Sequence, residues 1–461
     1  MWNYLEDASS YQGFADKIQI PNSEAELVGM LVEAQANAIP VTIAGAGSGL
    51  TGGRVPEGGW SISIEKFNSI TIHDGYAVCG AGAILRDLHA AARRAGQFYP
   101  PDPTETLAAI GGTISCNSSG SRSFLYGSTR RWIRRLRVAL MDGRVLDVRR
   151  GEAIDFEVSA VHQPRSTKNS AGYPLAPGMD WIDLFTGAEG TLGVILEAEL
   201  KLLPLPKELL NGVVFFNGDE AAMDAVEAWR GVDGLRMLEY ADVGSLKLIR
   251  AKYADIPAEA VACVIVEQII DDDPALYDSA LDEWELRLTR QGAMAEQSWF
   301  GSTDADRERF RVFRHSLPEQ VLALGRQMGF AKMGSDFAVP VDKNREMLEF
   351  YRKRISDCFD APHVIYGHVG DAHLHVNLFP GNSQQVVEGQ ALMREFAKNS
   401  VELGGTVAAE HGLGKRKRDF LPLMYSPTEI EAMKAVKLRL DPKWLLGRGN
   451  LFPISPAHPG A

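Results

Sequence analysis

Five glycines fall within nine residues in Gly45-Ala46-Gly47-Ser48-Gly49-Leu50-Thr51-Gly52-Gly53, directly after the apolar run Val41-Thr42-Ile43. Backbone this rich in glycine can enter left-handed conformations and can crowd its N–H groups round an anion such as a pyrophosphate. Gly47 to Gly52 fits G-x-G-x-x-G, but Gly52-Gly53-Arg54-Val55-Pro56 cannot open the helix that a Rossmann site needs. A nicotinamide site is therefore disfavoured, leaving an ordinary flexible turn as the plainer alternative. Two later segments weigh against that turn: Ile110 to Gly120 running into Tyr126-Gly127-Ser128-Thr129-Arg130, and Phe185 to Ile195. Each alternates glycine with small polar residues, as backbone wrapped closely round a long ligand requires.

The rest of the chain supports a globular protein of several domains. It has 461 residues, too many for one ordinary core, with 45% hydrophobic and 23% charged residues. A net charge of −12 argues against nucleic acid as partner. The four cysteines are scattered and form no C-x-x-C pair, so a disulfide framework or a cysteine-built zinc site is not expected. Met1 to Tyr11 shows no leader pattern and no apolar run is long enough to span a bilayer. The expected location is cytoplasmic, with peripheral attachment at the inner face of a membrane left open.

Periodicity predicts a helix from Ser23, with Ser23 and Glu26 as a capping box and Leu27, Met30, Leu31 and Ala34 on one face. Strands are expected at 41–43, 77–79, 136–141 and 194–203. A second helix carries Ile84, Leu85, Leu88, Ala91 and Ala92 inward. Residues 155–180 read as irregular, and Pro204-Leu205-Pro206 as a boundary. Beyond it, strands at 213–216, 261–268 and 337–341 alternate with helices at 221–230, 275–291 and 344–358, the texture of an α+β domain.

Half of the ten histidines lie between His363 and His411. They sit mostly in Tyr366-Gly367-His368-Val369-Gly370-Asp371-Ala372-His373-Leu374-His375-Val376-Asn377 and in Ala409-Glu410-His411-Gly412. A lone histidine is usually a packing residue. Several imidazoles beside a carboxylate, with glycines between, point to a metal or proton-transfer site.

In this order, the three glycine-rich segments and Pro101-Asp102-Pro103 resemble the FAD-binding domain of the vanillyl-alcohol oxidase/p-cresol methylhydroxylase (PCMH) superfamily. The most similar branch contains D-lactate dehydrogenase, D-2-hydroxyglutarate dehydrogenase and the FAD subunit of glycolate oxidase. The resemblance implies an α+β protein: a two-part PCMH-type FAD-binding domain over residues 1–206 and a substrate cap with an antiparallel sheet over 207–424. A segment over 425–461 would return to the flavin. It further implies that Gly45, Ala46, Gly47, Ser48 and Gly49 cradle the FAD pyrophosphate. Gly112, Asn117, Gly120, Tyr126 and Gly127 would line the flavin and ribityl chain, and Glu189, Gly190 and Ile195 the adenosine half. Ser48 stands where some members carry a flavin-linking histidine, so non-covalent FAD is expected.

The histidine runs resemble the family's G-H-x-G-D-G-N-L-H and E-H-G motifs. By that resemblance His368, His375 and Glu410 hold a divalent metal, zinc or manganese. His411 is the general base and Asn377 a substrate contact. Arg314 and Lys332 match the family's cations for the substrate carboxylate. Hydride loss from a carbinol carbon to a flavin requires its hydroxyl to lose a proton; a metal stabilises the charge that develops and a neutral imidazole takes the proton.

His373 replaces the family's asparagine. It is an extra ligand, a donor behind the ligands or a stacked ring; the last two together are favoured, since the ligand set is complete without it. Pro318 replaces a hydroxyl residue of the D-2-hydroxyglutarate enzymes, which leans the substrate towards a D-lactate-like monocarboxylate. Lys415-Arg416-Lys417-Arg418 reads as a solvated basic face. Gly447-Arg448-Gly449-Asn450 lacks the family's asparagine–proline pair, with Asn450 as a substitute.

The expected activity is FAD-dependent oxidation of a small D-2-hydroxy acid to the 2-oxo acid. Electrons would pass to an electron-transfer flavoprotein, a quinone or an iron–sulfur partner subunit, and a homodimer is compatible. The alternatives are the FAD subunit of a multi-subunit oxidase, a D-2-hydroxyglutarate dehydrogenase, and, from another class, a metal-dependent hydrolase.

Overall fold

The computed structural model describes residues 4–270 and 274–454, so the first residues of the N-terminal segment and the last seven of the C-terminal segment lie outside the described residues. The N-terminal region holds two larger sheets and a two-stranded pairing of Gln97–Phe98 with Leu203–Pro204. Lys17–Gln19, Trp60–Ser63 and Val41–Ala44 pair in parallel, with Trp60–Ser63 in the middle. Ile70–His73, Tyr76–Gly80, Val194–Lys201, Ile133–Ala139 and Val145–Arg149 form a five-stranded antiparallel sheet in that order. The C-terminal region carries a sheet of seven strands, all antiparallel. From edge to edge they are Trp299–Gly301, Glu208–Phe216, Ala262–Ile270, Leu235–Ala241, His363–His368, His373–Leu378 and Met333–Gly334.

The first helix covers Glu24–Ala36 and buries Leu27, Leu31 and Ala34, as their spacing requires. Ser23 caps it through the Glu26 amide, but the Glu26 carboxylate accepts from the Asn22 amide, so only half of the expected capping box forms. The second helix is Leu85–Arg94, with Leu85, Leu88 and Ala92 buried. Residues 155–180 are free of helix and strand, as composition indicates.

One expectation changes, and one helix appears where no element was expected. Residues 337–341 form no strand: Ala338 makes single bridges to His373 and Thr406, and Pro340 cannot donate to a ladder. A 24-residue helix, Asp304–Gln327, runs straight through Pro318. Its inner face is Phe310, Phe313, Leu317 and Val321, and Thr303 and Asp306 form a complete capping box. Pro318 lacks the N–H that would reach the Arg314 carbonyl four residues back, and burial of that face outweighs the loss.

The chain then returns. After the helix Pro427–Leu440, the Val41 amide donates to the Leu445 carbonyl at 2.9 Å and the Gly447 amide to the Val41 carbonyl at 2.8 Å. The C-terminal segment thus packs beside the strand that leads into the first glycine-rich loop. No helix among the described residues is long and apolar enough to cross a membrane.

Candidate active site

A cavity of about 1710 Å³ lies between the glycine-rich loops and the seven-stranded sheet. That exceeds the roughly 300–1,000 Å³ of ordinary small-molecule pockets and suits a dinucleotide plus a substrate. Gly45, Ala46, Gly47, Ser48, Gly49, Gly112, Glu189, Gly190 and Ile195 line one side. Arg314, Lys332, His368, His375, Asn377, Glu410 and His411 line the other.

The glycine side fits a long ligand. A Cβ built on Gly112 or Gly190 would meet no atom within 4 Å, so it would project into open cavity where a ligand could approach. Gly47 has φ +86°, a conformation that disfavours a side chain, and a Cβ there would also displace the Arg54 guanidinium. Asn117, Gly120, Tyr126 and Gly127 do not line the cavity. Asn117 accepts from the Arg130 amide, Tyr126 stacks edge-on with Phe98 and Trp132, and Gly127 turns the chain at φ +74°. These residues brace the loop instead of forming its surface.

The histidines stand on one hairpin. Strands His363–His368 and His373–Leu378 pair His368 with His373 and Tyr366 with His375, and alternation places His373, His375 and Asn377 on one face. His368 Nε2 is 3.1 Å, and His375 Nε2 3.6 Å, from Glu410 Oε1. These separations bracket the spacing of about 3.4 Å between neighbouring ligands of a tetrahedral ion with 2.0–2.1 Å bonds. The far ring nitrogens are also held as a metal site requires: His368 Nδ1 lies 2.6 Å from Glu239 Oε1, and His375 Nδ1 3.2 Å from the Ser335 carbonyl. The donor set therefore fits a divalent ion.

His373 is fully buried, with Nε2 3.1 Å from Asp336 Oδ1, Nδ1 3.4 Å from Lys168 Nζ and its ring 4.4 Å from that of His375. These contacts fit the bracing and stacking role, and a ligand atom of His373 also lies within 4.8 Å of those of His368, His375 and Glu410, so the geometry admits it as a further ligand as well. Burial, then His375 and Lys168, push it down to about 3, so it is neutral.

His411 stacks on His375 with ring centroids 5.3 Å apart. Its Nδ1 is 3.4 Å from Asp336 Oδ1 and its amide donates to Asp336 Oδ2 at 2.8 Å. Burial lowers its pKa to about 4 against the pull of Asp336, so the ring is neutral and able to accept a proton. For His368, burial acts downward too, but Glu239 and Glu410 outweigh it and raise it to about 9.

Several groups in this site carry no motif. Glu239, in the buried strand Leu235–Ala241, is shared between His368 and Arg314, whose Nε is 3.4 Å from Glu239 Oε2. Asp336 orients His411, and buried Lys168 sits 3.3 Å from Glu410 Oε2. An acid inside a strand of mostly apolar residues was the available signal for Glu239. For Lys168 it was the small-polar run Lys168-Asn169-Ser170-Ala171-Gly172, which has the texture of the other cavity loops.

Lys415 to Arg418 is not a solvated face. Only Arg416 is exposed; Lys415 Nζ donates to Asn450 Oδ1 at 2.8 Å and Lys417 Nζ to the Gly334 carbonyl at 3.1 Å. Tertiary acceptors, absent from the local sequence, draw these side chains inward. Asn450 Nδ2 donates to the carbonyls of Gly53 and Glu189, tying the tail to both glycine-rich loops. The Glu189 carboxylate accepts from the amides of Leu413 and Gly414 at 2.8 and 2.6 Å, joining the cavity wall to the loop that carries Glu410 and His411.

Comparison with known proteins agrees with this architecture. Residues 205–451 match the C-terminal domain of FAD linked oxidases and residues 15–149 the FAD binding domain. The chain belongs to the FAD-linked oxidase family. Among relatives of this oxidase, the glycolate oxidase subunit GlcD of Bacillus subtilis is 29% identical, over 97% of this chain and 92% of the relative. A D-lactate dehydrogenase of Archaeoglobus fulgidus is 29% identical over 94% and 90%. A D-2-hydroxyglutarate dehydrogenase of Xanthomonas citri pv. viticola is 28% identical over 94% and 89%. A solved alkyldihydroxyacetonephosphate synthase shares the fold at TM-score 0.68 and 16% identity, over 93% of this chain and 75% of that one. The FAD-linked oxidase is thus an FAD-dependent oxidoreductase of the group containing D-lactate dehydrogenase, D-2-hydroxyglutarate dehydrogenase and glycolate oxidase.

Proposed function

We propose that this oxidase converts a D-2-hydroxy acid to its 2-oxo acid, using non-covalent FAD and a divalent metal held by His368, His375 and Glu410. The observation that carries the reading is the convergence of His368, His375 and His411 on Glu410 Oε1 within the cavity that the glycine-rich loops enclose. FAD supplies the hydride acceptor, and zinc or manganese a Lewis acid beside the reacting hydroxyl. His411, neutral and oriented by Asp336, accepts the hydroxyl proton. Arg314 offers its planar fork to the substrate carboxylate, and Asn377 with Lys332 orients the remainder. Lys332 Nζ already donates to Asn377 Oδ1 at 3.0 Å, so the two act as a unit.

The proposed division is FAD-binding residues 1–206, a substrate cap over 207–424 and a returning segment from 425. Flavin reoxidation falls to an electron-transfer flavoprotein, a quinone or an iron–sulfur partner subunit. A cytoplasmic site of action, with or without peripheral membrane attachment, accords with this role.

One observation favours a second reading of the substrate. Among the described residues, neither Lys332 nor Lys417 lies within ion-pair distance of a carboxylate, although both line the cavity. Burial, then Lys417 and Arg416, lower Lys332 to about 8. A second anionic group on the substrate would compensate these cations, against the monocarboxylate lean from Pro318. Anaerobic titration with D- and L-forms of lactate, 2-hydroxyglutarate and an apolar 2-hydroxy acid tests both readings by flavin bleaching. We expect only D-acids to bleach the yellow protein, and the dicarboxylate to saturate at lower concentration if the cations bind it. Equal bleaching by L-acids overturns the stereochemical assignment, and a colourless protein with hydrolytic activity the whole reading.

A further inference from the structure

The Glu410 carboxylate has two unequal oxygens. Oε1 faces the Nε2 atoms of His368, His375 and His411. Oε2 points the other way and is enclosed: Ser119 Oγ donates to it at 2.5 Å, the Gly120 amide at 3.0 Å and Lys168 Nζ at 3.3 Å. All three donors come from the N-terminal region, whereas Glu410 belongs to the C-terminal one. A carboxylate oxygen has room for about two strong donors, so Oε2 has no capacity left for a metal.

Lys168 is the centre of this arrangement. Its side chain is 2% exposed, and Nζ also lies 3.6 Å from Asp371 Oδ2, 3.4 Å from His373 Nδ1 and 3.4 Å from the Gly120 carbonyl. Among the described residues it is the only lysine or arginine within ion-pair distance of Glu410. Without it, Glu410 and Asp371 would be buried carboxylates facing each other's neighbourhood with no cation between them, a costly state.

We propose that Lys168, with Ser119 and the Gly120 amide, clamps Glu410 so that it offers a metal one oxygen only. This rests on the metal reading above and adds to it a positioning residue, Lys168, outside the ligand motifs. The consequence is functional. A Glu410 free to rotate would bind through both oxygens and fill a coordination position that the substrate needs, whereas the clamped Glu410 leaves it open. Because Ser119 also lines the cavity, the wall against which a cofactor lies is the wall that sets this metal ligand.

The test uses the FAD-loaded enzyme stripped of metal and titrated with zinc against a chromophoric chelator, then with cobalt(II) to read the ligand field. Wild type, Lys168→Met, Lys168→Arg, Ser119→Ala and His368→Ala are compared, with flavin content and thermal melting as controls of folding. We expect Lys168→Met to weaken zinc binding by about 10–100-fold, the range for groups that orient a ligand. Its cobalt d–d absorption should become weaker as the coordination number rises. Lys168→Arg should recover most of the affinity. Ser119→Ala removes a different donor with little change in volume and should shift both readouts the same way by less, so the test stands even if Lys168→Met folds poorly. If Lys168→Met and Ser119→Ala keep wild-type zinc affinity and cobalt spectra while His368→Ala loses zinc, the clamp is wrong and the metal site survives. If wild type itself binds no zinc, both are overturned.

Discussion

The two walls of the cavity solve different problems with different materials. The N-terminal wall is backbone: Gly47, Gly112 and Gly190 present main chain without side chains, and the loops are held from behind by Arg54, Asn117 and Asn450. The C-terminal wall is side chain: His368, His375 and Asn377 stand on paired antiparallel strands whose register sets their spacing. Backbone amides suit a long, fixed ligand such as a dinucleotide, whose phosphates any peptide N–H can hold. Proton transfer and metal ligation need particular atoms at particular distances, which the strands supply for His368 and His375 and the hydrogen bonds to Asp336, Ser119 and Gly120 supply for the loop that carries Glu410 and His411. Outside the Ser119–Lys168 contact with Glu410, damage to the glycine loops should therefore remove cofactor binding, and damage to the other wall should remove chemistry.

The sharpest way to break that contrast is His411→Ala. It should lower the rate of flavin reduction by about 10²–10⁴-fold while the purified protein stays fully yellow, read by stopped-flow absorbance and the flavin-to-protein ratio. A variant that reduces at the wild-type rate removes His411 as base. Next in size, Glu239→Gln leaves the His368 ring without its carboxylate and should cost about 10–100-fold in metal affinity, measured by chelator competition. Unchanged affinity would mean that Glu239 serves Arg314 alone.

On the backbone wall the signature should invert. Gly112→Ala adds a Cβ that meets no atom within 4 Å, so the apoprotein should melt as wild type does, whereas FAD affinity should fall by roughly tenfold from crowding of the ligand. Loss of metal or of His411-dependent chemistry in that variant, with FAD retained, would erase the distinction between the walls.

The smallest effect concerns pH. Burial, then Arg314, lower His315 to about 4. The unfolded chain takes up a proton near pH 6.5 that the native state refuses, so the contribution of His315 to stability is present above about 6.5 and is lost as pH falls towards 4. His315→Gln should flatten the fall in melting temperature between pH 7 and pH 5, recorded by calorimetry. An unchanged slope would assign that fall to other groups.

Legibility differed between the walls for the same reason. The glycine-rich segments are contiguous, since one loop holds one stretch of ligand, and Gly45 to Gly49, Gly112, Glu189 and Gly190 all reach the cavity. The histidines are nearly contiguous too, because one hairpin carries them. What could not be read was the support behind them. Asp336 lies 75 positions from His411, Glu239 129 from His368 and Lys168 242 from Glu410, and what local signal they carry does not say which group each one serves. The helix Asp304–Gln327 was hidden by Pro318, and the basic run Lys415 to Arg418 was misread because its acceptors come from elsewhere.

From its sequence alone, then, this oxidase could be assigned its cofactor loops, its convergent histidines and its family, because each resides in a short run whose chemistry is complete in itself. Tertiary structure decided which oxygen of Glu410 faces the imidazoles, which carboxylate orients which ring, and that the tail ties both glycine-rich loops together. Those outcomes depend on distances between residues far apart along the chain, and such distances come into being only when the sheets pack around a shared cavity.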